Sequence, residues 1–251
     1  MALGIPTVAY LSAGNLVGGH ARISTATRAF ALTSRVLLAI DPAWFGPGCV
    51  EAGPSPAAPW ISGERARFVR LRDDGKPALV FAAHLANWEM PALPGPAHGL
   101  PSAVLYRAPN IGAVAEMVMK TRGVNMGRLI RTGLDGAMKA AAALQEGMHV
   151  GMLVDQYYVR AVPVTFFGRK TMANPLIARL ARQIECPIHG TRVVRLPNHR
   201  FYAELTEEIP PVRDAEGKID VAGTMQAITN VVEGWVREHP EQWLWLHRRW
   251  R

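Results

Sequence analysis

Ala78-Leu79-Val80-Phe81-Ala82-Ala83-His84-Leu85-Ala86-Asn87-Trp88-Glu89 is the stretch that decides the fold. Its first six residues are consecutively apolar rather than alternating, the pattern of a strand buried on both faces of a sheet covered by helices. A buried helix has the same composition. The run is short, however, and Lys76-Pro77 stands before it as a breaker, so strand is the better reading. His84 then sits at the carboxyl end of a central strand, where open α/β sheets place their ligand sites. Glu89 follows five positions on. On one continuous helix those side chains would diverge by about 140°. With His84 on the strand end and Glu89 in the first turn of the next helix, they converge. A carboxylate on one ring nitrogen fixes the tautomer and leaves the other nitrogen free to take a proton. Alone, the spacing arises by chance often enough that a core histidine bonded to a backbone carbonyl, with Glu89 on a solvated helix face, is the better explanation.

Outward from that stretch, strand and helix signals alternate. Short apolar runs at Ala103 to Tyr106 and Val150 to Val154 read as strands, the second carrying Asp155 just past its end. Ile111 to Arg122 reads as a helix ended by Gly123, and Thr132 with Asp135 opens a helix that runs to Glu146. Asn174-Pro175 is a cap followed by proline at the first helical position. Ile188 to Val194 and Phe201 to Leu205 form a hairpin, and Asp220 caps a final helix stopped by His239-Pro240. The expected fold is α/β, a mainly parallel central sheet flanked by helices.

Several blocks together resemble one family. Ala82-Ala83-His84-Leu85-Ala86-Asn87-Trp88-Glu89 resembles the H-x-x-x-x-D/E block of glycerolipid-type acyltransferases, in the form seen in the lipid A late acyltransferases. Tyr106-Arg107-Ala108-Pro109-Asn110, Gly151-Met152-Leu153-Val154-Asp155-Gln156, Val164-Thr165-Phe166-Phe167-Gly168 and Pro240 to Trp250 are similar to further blocks, in the family's order. The resemblance covers residues 67–251 and implies a glycerolipid acyltransferase-like fold. It divides the chain into an atypical N-terminal segment, 1–65, and an acyltransferase domain, 66–251. Residues 1–65 contain no lysine, and they carry neither the apolar anchoring segment nor the W-x-N-x-G-R-like patch that family members have.

The resemblance implies acyl transfer from acyl carrier protein to a hydroxyl of a lipid A precursor in lipopolysaccharide biosynthesis, with no cofactor and no metal. It implies His84 as general base and Glu89 as the acid that orients it. Arg107, Asn110, Asp155, Gln156, Arg169 and Lys170 are the candidate substrate-binding residues. Asp155 is read as binding the acceptor or orienting Arg107, with a loop-capping role equally open. Phe166 and Phe167 are read as channel lining or core. The other readings of the same chain are a catalytically silent anionic-lipid-binding homologue, or a thioesterase or other glycerolipid acyltransferase on the same site.

Composition sets bounds on these readings. With 251 residues, 49% of them hydrophobic and 19% charged, the chain is globular and large enough for a substantial core. A net charge of +8 suits acidic partners: phosphates, anionic lipid heads or acyl carrier protein. The basic residues are scattered and no nucleic-acid module is present, so no nucleic acid is expected. Cys49 and Cys186 have no metal or redox spacing. There is no G-x-S-x-G elbow, no P-loop and no G-x-G-x-x-G. No run reaches the ~18–20 apolar residues of a spanning helix. The expected location is the cytoplasmic face of the cell inner membrane, held peripherally. Ser24 to Ile40 is read as a core-covering helix. Trp243, Trp245 and Trp250, beside His247-Arg248-Arg249, are divided between packing onto the sheet and meeting a membrane interface.

Overall fold

The computed structural model describes residues 60–62, 65–107, 122–123, 125–197 and 201–251. The helix read over Ser24 to Ile40, most of the one read over Ile111 to Arg122, and Asn110 lie outside the described residues.

Among the described residues, nine strands and five α-helices follow in chain order. They are β1 (Trp60–Ser62), α1 (Arg65–Asp73), β2 (Leu79–Ala82), α2 (Pro94–Ala97), β3 (Ser102–Tyr106), β4 (Arg128–Arg131), α3 (Gly136–Gln145), β5 (His149–Leu153), β6 (Tyr157–Phe166), β7 (Arg169–Ala173), α4 (Leu176–Ile184), β8 (Ile188–Arg195), β9 (Phe201–Glu208) and α5 (Val221–Glu238). The main sheet has seven strands in the order β1-β9-β8-β2-β5-β3-β4. Every pairing in it is parallel except β8 with β9. That exception follows from the Pro197 turn, because a short connection can only join antiparallel neighbours. The mainly parallel α/β fold is as expected, and β2 occupies the sheet's centre.

The two faces of the sheet differ. Leu79 and Phe81 of β2, Val150 and Met152 of β5, and Ala103 and Leu105 of β3 form one core with α3, α4 and α5. Trp235 of α5 stacks on Phe81 with ring centroids 5.5 Å apart. Gly190 lies beneath that pair, where an added Cβ would come within 2.7 Å of the Phe81 ring and 2.9 Å of Trp235. Asp220 caps α5, accepting from the backbone N–H groups of Ala222 and Gly223 at 3.0 Å each. Cys186 is buried in this core, which pushes its thiol up to about 11 and leaves it inert.

The opposite face, with Val80, Gly151 and Val104 in one register row, is only part-buried at Val80, Gly151 and Val104 and borders a cavity. β2 is therefore not packed equally on both faces, as its unbroken apolar run suggests. Residues of α1 and of the proline-rich turns at 90–97 line the far wall of that cavity. Separately, β6 and β7 form a hairpin whose two turn residues, Phe167 and Gly168, have φ of 53° and 71°. Positive φ at both central positions is the two-residue turn that matches strand twist.

Candidate active site

The parallel register builds the site. Ala82 of β2 pairs with Leu153 of β5, and the Val154 N–H donates to the Ala82 carbonyl at 3.1 Å. Two residues beyond that pair, His84 and Asp155 arrive at the same depth past the carboxyl ends of adjacent strands. Asp155 Oδ1 lies 2.7 Å from His84 Nδ1. Asp155 Oδ2 accepts from the His84 backbone N–H at 2.9 Å and from the Trp243 indole Nε1–H at 2.8 Å. The ring and the carboxylate are both buried, their side chains 4% and 1% exposed. Burial by itself would raise the Asp155 carboxyl. The His84 charge and the hydrogen bonds from the His84 ring, Trp243 and the His84 backbone outweigh it and hold the group well below the usual carboxylate range.

The acid on the His84 ring is thus Asp155, and the expected pairing with Glu89 does not form. After His84 the chain does not enter a helix. Leu85 N–H donates to the Ala83 carbonyl at 2.7 Å, and Ala86 takes the left-handed conformation with φ 47°. Glu89 precedes a single 3₁₀ turn, Met90–Ala92, and its carboxylate accepts from Arg122 Nε at 2.8 Å and from Arg122 Nη2. Glu89 and Arg122 border the same cavity as His84, as a neutralised pair.

The C-terminal segment closes the other side of the site. Ala86 N–H donates to the Gln242 carbonyl at 2.8 Å, and Leu244 N–H donates to the His84 carbonyl at 3.0 Å. Gln156 Nε2 lies 3.1 Å from His84 Nε2 and 2.9 Å from His247 Nε2. The His84 and His247 rings meet edge to face at 4.9 Å, and Trp88 lies 5.2 Å from His84 on another side. Burial, then the neighbouring His84, pushes the His247 imidazole down to about 4, with Asp155 opposing. Arg249 is 2% exposed. It donates from Nη1 to the carbonyls of Gln156 at 3.1 Å and Met172 at 2.6 Å, and its guanidinium covers the Phe166 ring.

A cavity of about 730 Å³ opens beside His84 and runs along the sheet face to His149 and Leu71 near the amino ends of the strands. Its lining is largely apolar, and the volume falls within the range of small-molecule sites. Tyr106, Arg107, Gln156 and Arg179 border it where it meets the strand ends. Arg107 is exposed at the end of β3. Arg169 and Lys170 lie elsewhere, on the exposed start of β7, with Arg169 over the Trp250 ring at 5.7 Å. Phe166 is buried among Trp243 and Trp250, and neither it nor Phe167 lines the cavity. Among the described residues, no group of three or more His, Cys, Asp or Glu could hold a metal ion. No described helix is long and apolar enough to cross a membrane.

Sequence reasoning brings His84, Asp155 and Gln156 to the site but pairs His84 with Glu89 rather than Asp155, and it reads His247 and Arg249 only as tail residues. Equal offsets of His84 and Asp155 past two buried strands were the available signal. For the tail, the signal was a dense polar-aromatic block after a helix stop.

A solved structure similar to this chain is that of the 1-acyl-sn-glycerophosphate acyltransferase PlsC from Thermotoga maritima. It is 11% identical, with a TM-score of 0.44 over 95% of this chain and 96% of that one. A search of curated proteins finds no match. The family model for bacterial lipid A biosynthesis acyltransferases matches residues 35–251, most of the chain and every element of the site. This chain belongs to the bacterial lipid A biosynthesis acyltransferase family.

Proposed function

We propose that the protein transfers a fatty acyl chain from acyl carrier protein to a hydroxyl of a lipid A precursor, with His84 as the general base and Asp155 as the group that orients it. One observation carries this reading: a buried, carboxylate-braced imidazole at the mouth of an apolar cavity of about 730 Å³. The cavity suits a saturated chain, and the braced ring suits proton removal from an alcohol.

The Asp155 carboxylate accepts the His84 Nδ1–H, so Nε2 carries the lone pair. The acceptor hydroxyl gives its proton to Nε2 as its oxygen attacks the thioester carbonyl. The tetrahedral oxyanion collapses and expels the thiolate, which takes the proton back from His84. The enzyme ends as it began, and no acyl-enzyme is required. Base assistance of this kind is typically worth ~10²–10⁴-fold. Arg107 at the cavity mouth is the nearest match to an acidic acceptor headgroup, and Glu89 serves by holding Arg122. Asn110 is kept as a candidate acceptor contact from the family block alone. The division into residues 1–65 and 66–251 is retained as part of this proposal.

The reading includes peripheral association with the cytoplasmic face of the inner membrane. Trp245 and Leu246, 53% and 59% exposed, stand next to His247 in the segment that closes the site, which suits a lipid acceptor presented at an interface.

The test is transfer of labelled acyl chains from loaded acyl carrier protein to purified lipid A precursor. His84→Ala should lower turnover by ~10²–10⁴-fold. Release of free fatty acid without transfer would instead identify a thioesterase, and binding of anionic vesicles without either reaction a silent homologue. Full turnover by His84→Ala would remove the assigned role.

A further inference from the structure

Two imidazoles and one amide share a single point in this site, and hydrogen-bond bookkeeping couples their states. Asp155 is acceptor-only when ionised, so the His84 nitrogen facing it at 2.7 Å carries the proton. The neutral His84 ring then has its only lone pair on Nε2. Gln156 Nε2 faces that lone pair at 3.1 Å and can donate to it. The second N–H of the same amide faces His247 Nε2 at 2.9 Å, which must be a lone pair too. An amide turned the other way would set its carbonyl oxygen against the lone pair of a neutral His84. With His84 neutral, as a general base must be, the arrangement closes with both rings protonated at Nδ1; with His84 charged it closes instead with the amide turned and His247 protonated at Nε2.

We propose that Gln156 and His247 are positioning residues, forming a clamp that sets the His84 tautomer and caps its Nε2 until a substrate hydroxyl displaces the amide. The Gln156 end of this clamp is held at its backbone. The Gln156 carbonyl accepts from the buried Arg249 guanidinium at 3.1 Å, so the residue's backbone is held while its side chain turns. Among the described residues, the charged and titratable groups around the clamp are Asp155 on the far side of His84, Arg249 at the Gln156 carbonyl, and, lining the same cavity, the Glu89–Arg122 pair, Arg107, Arg179, Tyr106, Tyr157 and Tyr158.

The consequence for turnover rests on the acyl-transfer reading above. Once Nε2 has taken the hydroxyl proton it is a donor, and the Gln156 N–H groups, themselves donors, offer it nothing. His247 keeps the amide from turning its oxygen toward His84, because that turn would break the second bond. Gln156 offers the imidazolium no acceptor, and the His247 lone pair stays occupied by the amide, so the proton goes to the departing thiolate.

The clamp itself is testable without any substrate, so its failure and that of the acyl-transfer reading are separable. The experiment is a pH titration of the full chain labelled with ¹⁵N-histidine, following the imidazole nitrogens by NMR, with His84 assigned through His84→Ala. At neutral pH, both Nε2 atoms should be unprotonated in the unaltered protein. Gln156→Met removes both N–H donors, so the Nε2 signals of both rings should move together toward those of a lone pair without a hydrogen bond. His247→Phe should move the His84 Nε2 signal part of the way in the same direction, and the double variant should go no further than Gln156→Met alone. Gln156→Glu, which keeps the shape and reverses the donor, should place a proton on Nε2 of at least one ring at neutral pH. A protonated Nε2 on either ring of the unaltered protein, or a His84 Nε2 signal that Gln156→Met leaves unmoved, would overturn the clamp.

Discussion

Asp155→Asn separates the brace on His84 from everything else that Asp155 does. The carboxylate accepts three bonds: one from the ring on Oδ1, and two on Oδ2, from the His84 backbone and the Trp243 indole. Asparagine has one acceptor oxygen and one NH₂ in the same space. With its oxygen toward the two fixed donors, both bonds survive, but the NH₂ now faces His84 Nδ1. The ring must then accept there and carry its proton on Nε2, where it cannot serve as a base. With its oxygen toward the ring, the NH₂ is driven against two buried N–H groups, at a cost of about 1–3 kcal/mol each. The first arrangement sets one donor against another, at Gln156, where the second sets two, so the first wins; the variant should fold with a loss of about 1–3 kcal/mol and lose turnover. A wrong-tautomer substitution of the same kind in a serine protease triad costs about 10⁴ in kcat, and 10²–10⁴ is expected here. The assay is kcat for acyl transfer at several pH values, with thermal denaturation alongside. Glu89→Gln, which keeps the shape beside Arg122, should cost much less. Asp155→Asn retaining more than a tenth of the parent's kcat, or Glu89→Gln costing more than Asp155→Asn, would refute the assignment of the brace.

Gly151 lies between Val80 and Val104 on the cavity face, and an added Cβ there would meet nothing nearer than 3.8 Å. Gly151→Leu should grow into the cavity without displacing backbone; if it excludes two methylenes at about 0.8 kcal/mol each, the longest accepted acyl chain should lose about tenfold in kcat/KM while shorter chains gain relative to it. Stability should also fall in acid. The folded state holds His247 down to about 4 from an ordinary 6.5, so the unfolded chain binds that proton first and stability is lost as pH falls from about 6.5 toward 4. After discounting for partial solvent access, His247 should account for about 1–2 kcal/mol of this. The lowered Asp155 carboxyl extends the loss below its ordinary value of 3.8. Urea midpoints at pH 7 and 4.5 measure the first window, and His247→Asn should reduce the difference; an unchanged difference would contradict the His247 contribution.

The central strand, its neighbours and the final helix are legible in the sequence because each carries a local signal. The β8–β9 hairpin has its turn residues and Asp220 its cap. The site is less legible because its central contact is set by register between strands 71 positions apart. Nothing local says that Ala82 will face Leu153. Glu89 is the natural choice from sequence because it is near His84 along the chain, and the reading requires a helix to start at once. The left-handed Ala86 defeats that reading. The Ala86 N–H is bound by Gln242, so the turn is made by a segment that the local sequence around His84 cannot reveal. Only with β2 and β5 aligned does Asp155 become the brace, and only with the tail docked does Trp243 become its third donor.

The cavity accounts for a last mismatch. A strand beside a fatty-chain site and a strand inside a core need the same side chains, so Ala78 to Ala83 reads as buried on both faces although only one is filled by protein. The volume is too large to be a packing defect. An empty, dry void of about 730 Å³ would cost about 17 kcal/mol at ~24 cal/mol per Å³. That exceeds the ~5–15 kcal/mol by which folded domains are stable. A chain that folds must therefore keep this volume open to water or filled by a ligand. Gly151 is consistent with the second: a core would place a side chain there, and the geometry leaves room for one, yet the row from Val80 to Val104 is interrupted. If the space serves an acyl chain, leucine at that position should change which chains fit rather than whether the protein folds.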